Sequence, residues 1–301
     1  MRAITVSEFG DPSVLVPSEV PTPVPGPGQL LVEVTGAGVG PWDAKMRRGL
    51  FGDRDFPYIP GNEISGIVSA AEDGAGFRVG DTVFGTTGTM VGGYAEYAVV
   101  DSGRVTGAPE GFDLETAGAA PVGGATAIEG LDDHLHISAG ETLLVAGAAG
   151  GVGSFVVQIG KARGARVVGT ASPDHHDYVR GLGADDVVDY HGDWVNAVQG
   201  VDAAFDCVGG DTWDGCVRAV RDGGRAVSIA ASGRVPEDGR VTTGSFSVSA
   251  TGARLAEVAA LIAAGTVTVV ISERLPLDDA ARAHEIIESG HTRGKLVLIP
   301  G

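Results

Sequence analysis

Up to Glu115, apolar and polar positions alternate in short runs broken by glycine and proline, as in Leu30–Thr35, Ile64–Ser69 and Tyr94–Val100. A period of two with frequent turn residues predicts a twisted, barrel-like β domain. Pro21–Gly28, dense in proline and glycine, reads as a rigid surface connection between strands. After Glu115 the pattern changes. Continuous apolar runs at Thr142–Ala146, Arg166–Thr170, Asp186–Asp189, Ala203–Cys207 and Arg225–Ala230 alternate with helical stretches. That rhythm predicts an α/β domain with a parallel sheet covered on both faces. Ser172-Pro173 supplies a helix N-cap with proline at the first helical position, and Gly183 ends that helix. A final helix over Asp278–Ser289 and a strand over Lys295–Ile299 break the βα rhythm, so they return to the first domain. The expected division is therefore 1–120 completed by 268–301, with 121–267 as the second domain.

Within the second domain, Thr142–Ser154 runs from a buried strand through a glycine-rich turn into the helix Ser154–Arg163. Backbone without side chains can approach a pyrophosphate closely, and the N–H groups and dipole of the helix N-terminus meet its charge. Ala148 takes the first glycine place of the dinucleotide fingerprint, with Gly150 and Gly153 in the second and third. About 20 residues on, where an acid would accept the ribose 2′-OH of NAD, the strand ends in Ser172, which leaves room for a 2′-phosphate. This favours NADPH, although Asp174, His175 and His176 follow where a fixed cation is wanted. A second reading keeps Ser172 as a helix cap alone.

Asp and Glu (39) outnumber Lys and Arg (21), and the formal charge of −18 argues against nucleic acid or an anionic membrane as partner. Two cysteines cannot build a disulfide framework or a four-cysteine zinc lobe. Met1–Val6 enters a strand pattern with no signal-peptide core, and the uncharged stretch Thr142–Gly160 is interrupted by glycines. The expectation is a cytoplasmic protein.

These features come together in Pro25–Val32, Gly38–Asp43, Pro57–Glu63, Gly80–Gly85, Gly93–Tyr97, Ala146–Gly153, Leu182–Tyr190, Phe205–Gly210 and Gly290–Lys295. On these motifs, over essentially its whole length, the chain resembles the zinc-independent, zeta-crystallin-like quinone oxidoreductases of the medium-chain dehydrogenase/reductase superfamily. The resemblance implies a GroES-like β-barrel-type catalytic domain beside a Rossmann doubly wound sheet, with the active cleft between them. It places Thr126 at the nicotinamide end, Ala148 and Gly150, Gly151, Val152 and Gly153 at the pyrophosphate, and Ser172 and Tyr190 at the 2′-phosphate end. Cys207, Val208 and Ala230 fall on the ribose side of the nicotinamide. Phe246 and Val248 lie on a strand, Gly244–Ala250, that passes the nicotinamide and forms a homodimer edge; core packing is the competing role for Tyr190 and Phe246.

The zinc alcohol dehydrogenases share this fold, but their metal needs Cys and His ligands. Here Gly38–Trp42 has no cysteine and the histidine of the Gly-His-Glu motif is Asn62. Without a metal to polarise an alcohol, the implied chemistry is hydride delivery from NADPH to a quinone or an α,β-unsaturated carbonyl. Asp43, Tyr58 and Asn62 are the candidate catalytic residues, Tyr58 being the one phenol the resemblance brings to the cleft. Trp42, Phe51 and Phe56 offer an aromatic wall for a flat apolar substrate. Two other readings stand beside this one: an enoyl or enone reductase of a biosynthetic pathway, and a catalytically silent NADPH-binding protein.

Overall fold

The computed structural model describes residues 1–88, 91–230 and 239–301. Two compact units emerge, Met1–Val122 with Ala250–Gly301, and Gly123–Ser249.

The first unit is built on a seven-stranded sheet. Along its path lie Ile271–Pro276, Lys295–Ile299, Gln29–Val39, Glu63–Ala71, Thr82–Thr86 and Val105–Gly107, and Tyr97–Asp101 pairs with Gln29–Val39 off that path. Most pairings are antiparallel, and the alternation predicted for Leu30–Thr35 appears as Leu30, Val32 and Val34 buried with Glu33 exposed. Its core gathers Ile4, Val32, Val39, Ile64, Val83, Leu296 and Leu298. The return of the C-terminal strand is seen: Lys295–Ile299 pairs with Val39, Gly38 and Ala37. The expected helix there is shorter, Ala280–Glu288 behind a 3-10 turn at Leu277–Asp279. The helix Gly252–Ala263, expected in the second domain, belongs to the first unit and packs on Val105–Gly107. No strand of the parallel sheet follows it, so it closes no βα crossover.

The second unit is a six-stranded, all-parallel sheet in the order Asp186–Asp189, Arg166–Ala171, Thr142–Ala146, Val201–Asp206, Val220–Ser228, Thr242–Ser245. In chain order this is 3-2-1-4-5-6, the doubly wound arrangement, and the order reverses between Thr142–Ala146 and Val201–Asp206. Leu143, Leu144, Val145 and Ala146 have no exposed surface, as a strand covered on both faces requires. The strand expected over Gly244–Ala250 is paired only over Thr242–Ser245. Its period of two nevertheless continues: Ser245, Ser247 and Ser249 are exposed, Phe246 and Val248 half-buried and Ala250 buried.

Candidate active site

Ligands of a doubly wound sheet bind outside the carboxyl ends of its strands, at the point where the order reverses. There the chain leaves Ala146 and turns at Gly147 with φ +74°, a conformation that a side chain resists. A Cβ at Gly153 would stand 2.1 Å from Gly147 O, so packing alone demands glycine at that place. Gly150 differs. Only Gly147 O, at 3.3 Å, comes within 4 Å of a Cβ there, a contact that a shift of a few tenths of an ångström relieves. Its bareness therefore suits close approach by a ligand rather than packing. Ala148, in the first fingerprint place, is accommodated by Gly169 on the neighbouring strand, where a Cβ would come within 2.8 Å of the Ala148 methyl. The helix Gly153–Ala162 follows, and among the described residues the N–H groups of Gly151 and Val152 in the turn before it have no acceptor. Free N–H groups and the positive end of a ten-residue helix form an anion cradle that fits a pyrophosphate.

Ala171 pairs with Asp189, so Ser172 and Tyr190, each one residue further on, emerge side by side from neighbouring strands. Ser172 stands at the N-cap of a 3-10 turn, Pro173–His175, that precedes the helix His176–Gly181, yet its side chain makes no capping bond. Its Oγ lies 3.4 Å from His175 Nδ1. Tyr190 is exposed and stacks on His191 at 4.2 Å. Thr126 is buried in the helix Pro121–Ile128. Cys207 and Val208 follow the strand Val201–Asp206, and Ala230 lies just past Val220–Ser228, all at the carboxyl edge. Burial pushes the Cys207 thiol well above its ordinary range, which makes it a poor nucleophile. Phe246 stacks on His134 at 4.4 Å and meets Phe205 edge-on, so part of its surface does serve packing.

In the first unit, Asp43 is buried on the short helix Pro41–Arg47, and its Oδ2 accepts the Gly40 N–H at 2.9 Å. Desolvation raises its carboxyl to about pKa 7 against the pull of that N–H. Tyr94, which sequence reasoning passed over, stands 3.3 Å from Nε2 of the fully buried His284, and burial, with the nearby Asp43 charge adding to it, holds its phenol well above the ordinary range. Two phenols rather than Tyr58 alone thus belong to the polar groups of this unit. Burial lowers His284 to about pKa 3, with the nearby Arg47 charge adding to the effect, so its imidazole is neutral. Beside Asp43, Glu63 and Lys295 form a buried ion pair at 2.5 Å, and Glu63 also accepts the Val122 N–H. Asn62 accepts from the Thr87 hydroxyl at 3.4 Å, and its NH₂ has no acceptor among the described residues. The Tyr58 ring packs in the core and its hydroxyl is buried without a partner among the described residues. Trp42 and Phe51 stack at 4.2 Å with both rings partly exposed, forming a flat apolar face.

Residues 26–110 match the alcohol dehydrogenase GroES-like domain family and residues 182–298 a family described as zinc-binding dehydrogenase. The human quinone oxidoreductase is 31% identical over 99% of this chain and 98% of its own. The chain belongs to the quinone oxidoreductase family of the medium-chain dehydrogenase/reductases. Two further members frame its range. The chloroplastic NADPH-dependent alkenal/one oxidoreductase of Arabidopsis thaliana is 32% identical over all of this chain and 80% of its own. The Escherichia coli quinone oxidoreductase, solved in complex with NADPH, superposes with a TM-score of 0.91 at 29% identity over the full length of both chains. Despite the description of the family matched by 182–298, no group of three or more His, Cys, Asp or Glu among the described residues is placed to hold a metal ion. Nor is any helix among them long and apolar enough to cross a membrane.

Sequence reasoning missed Tyr94, His284 and the Glu63–Lys295 pair. Glu63 and Lys295 close recognised motifs, and each is a charged side chain beside strongly apolar neighbours, which is the available signal for a buried pair.

Proposed function

We propose that this protein is an NADPH-dependent, zinc-independent oxidoreductase that transfers hydride to a quinone or to the β-carbon of an α,β-unsaturated carbonyl. The observation that carries the reading is the turn Gly147–Gly153 at the point of strand reversal, with a bare Gly150 and free N–H groups beside a strand that Ser172 follows. Gly150, Gly151, Val152 and Gly153 hold the pyrophosphate, with Ala148 setting the turn. Ser172 and Tyr190 hold the adenosine 2′-phosphate end. Thr126, Cys207, Val208, Ala230, Phe246 and Val248 serve the nicotinamide half. When bound, NADPH supplies the hydride.

The chain's own contribution lies in charge and proton handling. The unengaged NH₂ of Asn62 donates to the oxygen on which negative charge gathers as hydride arrives. Asp43, kept protonated toward neutral pH by burial, and Tyr58 are the groups that return a proton. Gly38–Trp42 offers no cysteine and Asn62 takes the histidine place of the zinc enzymes, and this supports an acceptor that is already electrophilic. The test is NADPH oxidation followed at 340 nm with a benzoquinone and with a short alkenal. Oxidation that needs either acceptor supports the reading, and NADPH binding with no turnover of either favours a silent binding protein.

The same reading includes a homodimer. Thr242–Ser245 is the last strand of the sheet, and 246–250 continues its alternation of exposure with no ladder partner among the described residues, the Ser249 N–H being accepted by Glu129. Pairing with a second copy across a two-fold axis satisfies the remaining backbone groups of this edge. Light scattering should give twice the chain mass, and Ser247→Pro should halve it.

A further inference from the structure

The carboxyl edge of the parallel sheet contains a buried carboxylate with no role in the reading above. Asp206, the last residue of Val201–Asp206, has no exposed surface and pairs in register with Ala146 on one side and Ser228 on the other. It thus sits at the strand reversal, next to the start of the Gly147 turn. Its Oδ1 accepts the Val208 N–H at 2.9 Å and the Gly209 N–H at 3.0 Å. Its Oδ2 accepts the same Gly209 N–H at 3.0 Å and the Ser228 hydroxyl at 2.6 Å. Ser228 Oγ in turn accepts the Ala230 N–H at 3.1 Å. Three donors converge on one carboxylate away from water, and the ties reach both chain segments, 207–209 and 230, assigned to the nicotinamide half.

Contacts around the loop show how closely that placement is held. Gly209 has φ +83°, and a Cβ there would lie 3.1 to 3.2 Å from atoms of Ala230. A Cβ at Gly147 would lie 2.9 Å from a Val208 methyl. The loop after Asp206 is thereby wedged between the phosphate turn and Ala230, with little room for drift. We infer that Asp206, with Ser228 as its relay, is a positioning residue that sets the loop Cys207–Gly209 and Ala230 in register for the nicotinamide half of the cofactor. This rests on the cofactor reading above and adds to it a residue that touches no ligand itself. The geometry selects a carboxylate because one group must accept from two successive loop amides and a hydroxyl at once, and a carboxylate offers two oxygens with no donor to misplace.

The experiment uses the full chain with three substitutions, Asp206→Ala, Asp206→Asn and Ser228→Ala, and two readouts. Amide hydrogen exchange without cofactor should quicken at Val208, Gly209 and Ala230 in Asp206→Ala. It should quicken at Ala230 alone in Ser228→Ala, and Asp206→Asn, which keeps one acceptor oxygen, should protect Val208 and Gly209 again. Fluorescence titration should then show NADPH binding weakened about ten-fold or more in Asp206→Ala, the scale of lost bonds to a charged group. Binding of 2′,5′-ADP, which lacks the nicotinamide half, should be unchanged. Unaltered exchange at Val208 and Gly209, or equal weakening of NADPH and 2′,5′-ADP, would overturn the inference. A parent chain that binds no NADPH would instead end the cofactor reading, while the exchange pattern would still decide whether Asp206 holds the loop. Ser228→Ala keeps the test decisive should Asp206→Ala fail to fold.

Discussion

In the parallel-sheet unit the groups open to an anion are backbone N–H groups and missing side chains, all within the few residues from Gly147 to Gly153. In the β unit the buried polar contacts beside Asp43 are between side chains drawn from far along the chain: Tyr94 meets His284 across 190 positions and Glu63 meets Lys295 across 232. An arrangement built on backbone is local, and it tolerates change wherever a turn can keep its shape. Ala148 illustrates this, since Gly169 absorbs the methyl that the fingerprint omits. An arrangement built on buried side chains depends on each partner, because a lone buried charge has nowhere to find another.

The comparison breaks most sharply at the buried pair. Glu63→Gln leaves Lys295 charged and unpaired inside the β unit, and urea unfolding should show a loss of about 3–5 kcal/mol, which Lys295→Met added to it should partly restore. Next comes Tyr58→Phe, expected to lower kcat about 100-fold if this phenol gives up its proton in the rate-limiting step; a mild loss would transfer that part to Asp43 or water. In the other unit, Gly153→Ala should cost about 1–3 kcal/mol of stability through its clash with Gly147 O. Gly150→Ala should change stability by less than about 0.5 kcal/mol while raising the NADPH Kd about ten-fold, separating ligand demand from packing demand. The smallest effect expected is none: dialysis against EDTA should leave the rate unchanged, and a rate restored by zinc would refute the reading of Asn62.

Much of the parallel unit was legible because its determinants are sequential. The strands Thr142–Ala146 and Asp186–Asp189 lie as their apolar runs predict, and the helix after the glycine turn differs by one residue at each end. The βα rhythm predicts the parallel sheet, and the doubly wound arrangement comes with the resemblance. What escaped has physical causes. The helix Gly252–Ala263 is amphipathic like its predecessors, and only the absence of a following parallel strand sends it to the other unit. The pairing of Gly244–Ala250 stops at Ser245 because a period of two records exposure rather than a hydrogen-bond partner. Asp43 was legible as a polar residue in a motif, whereas its burial beside Tyr94 depends on a helix and a loop that lie far apart in sequence.

The buried Asp43–Tyr94–His284 cluster has a consequence for the proton inventory of folding. In the unfolded chain between about pH 4 and 6.5 the Asp43 carboxyl is ionised and the His284 imidazole carries a proton. In the fold the carboxyl, raised to about pKa 7, keeps its proton, and the imidazole, lowered to about pKa 3, has none. Taken alone, Asp43 makes the fold less stable as pH rises from its unfolded value toward 7, and His284 makes it less stable as pH falls from 6.5 toward 3. Together they bind one proton in either state, so the two slopes cancel across that window. An acid and a base that would attract each other as ions in water are both neutral in the folded chain, and the Tyr94 hydroxyl meets the imidazole.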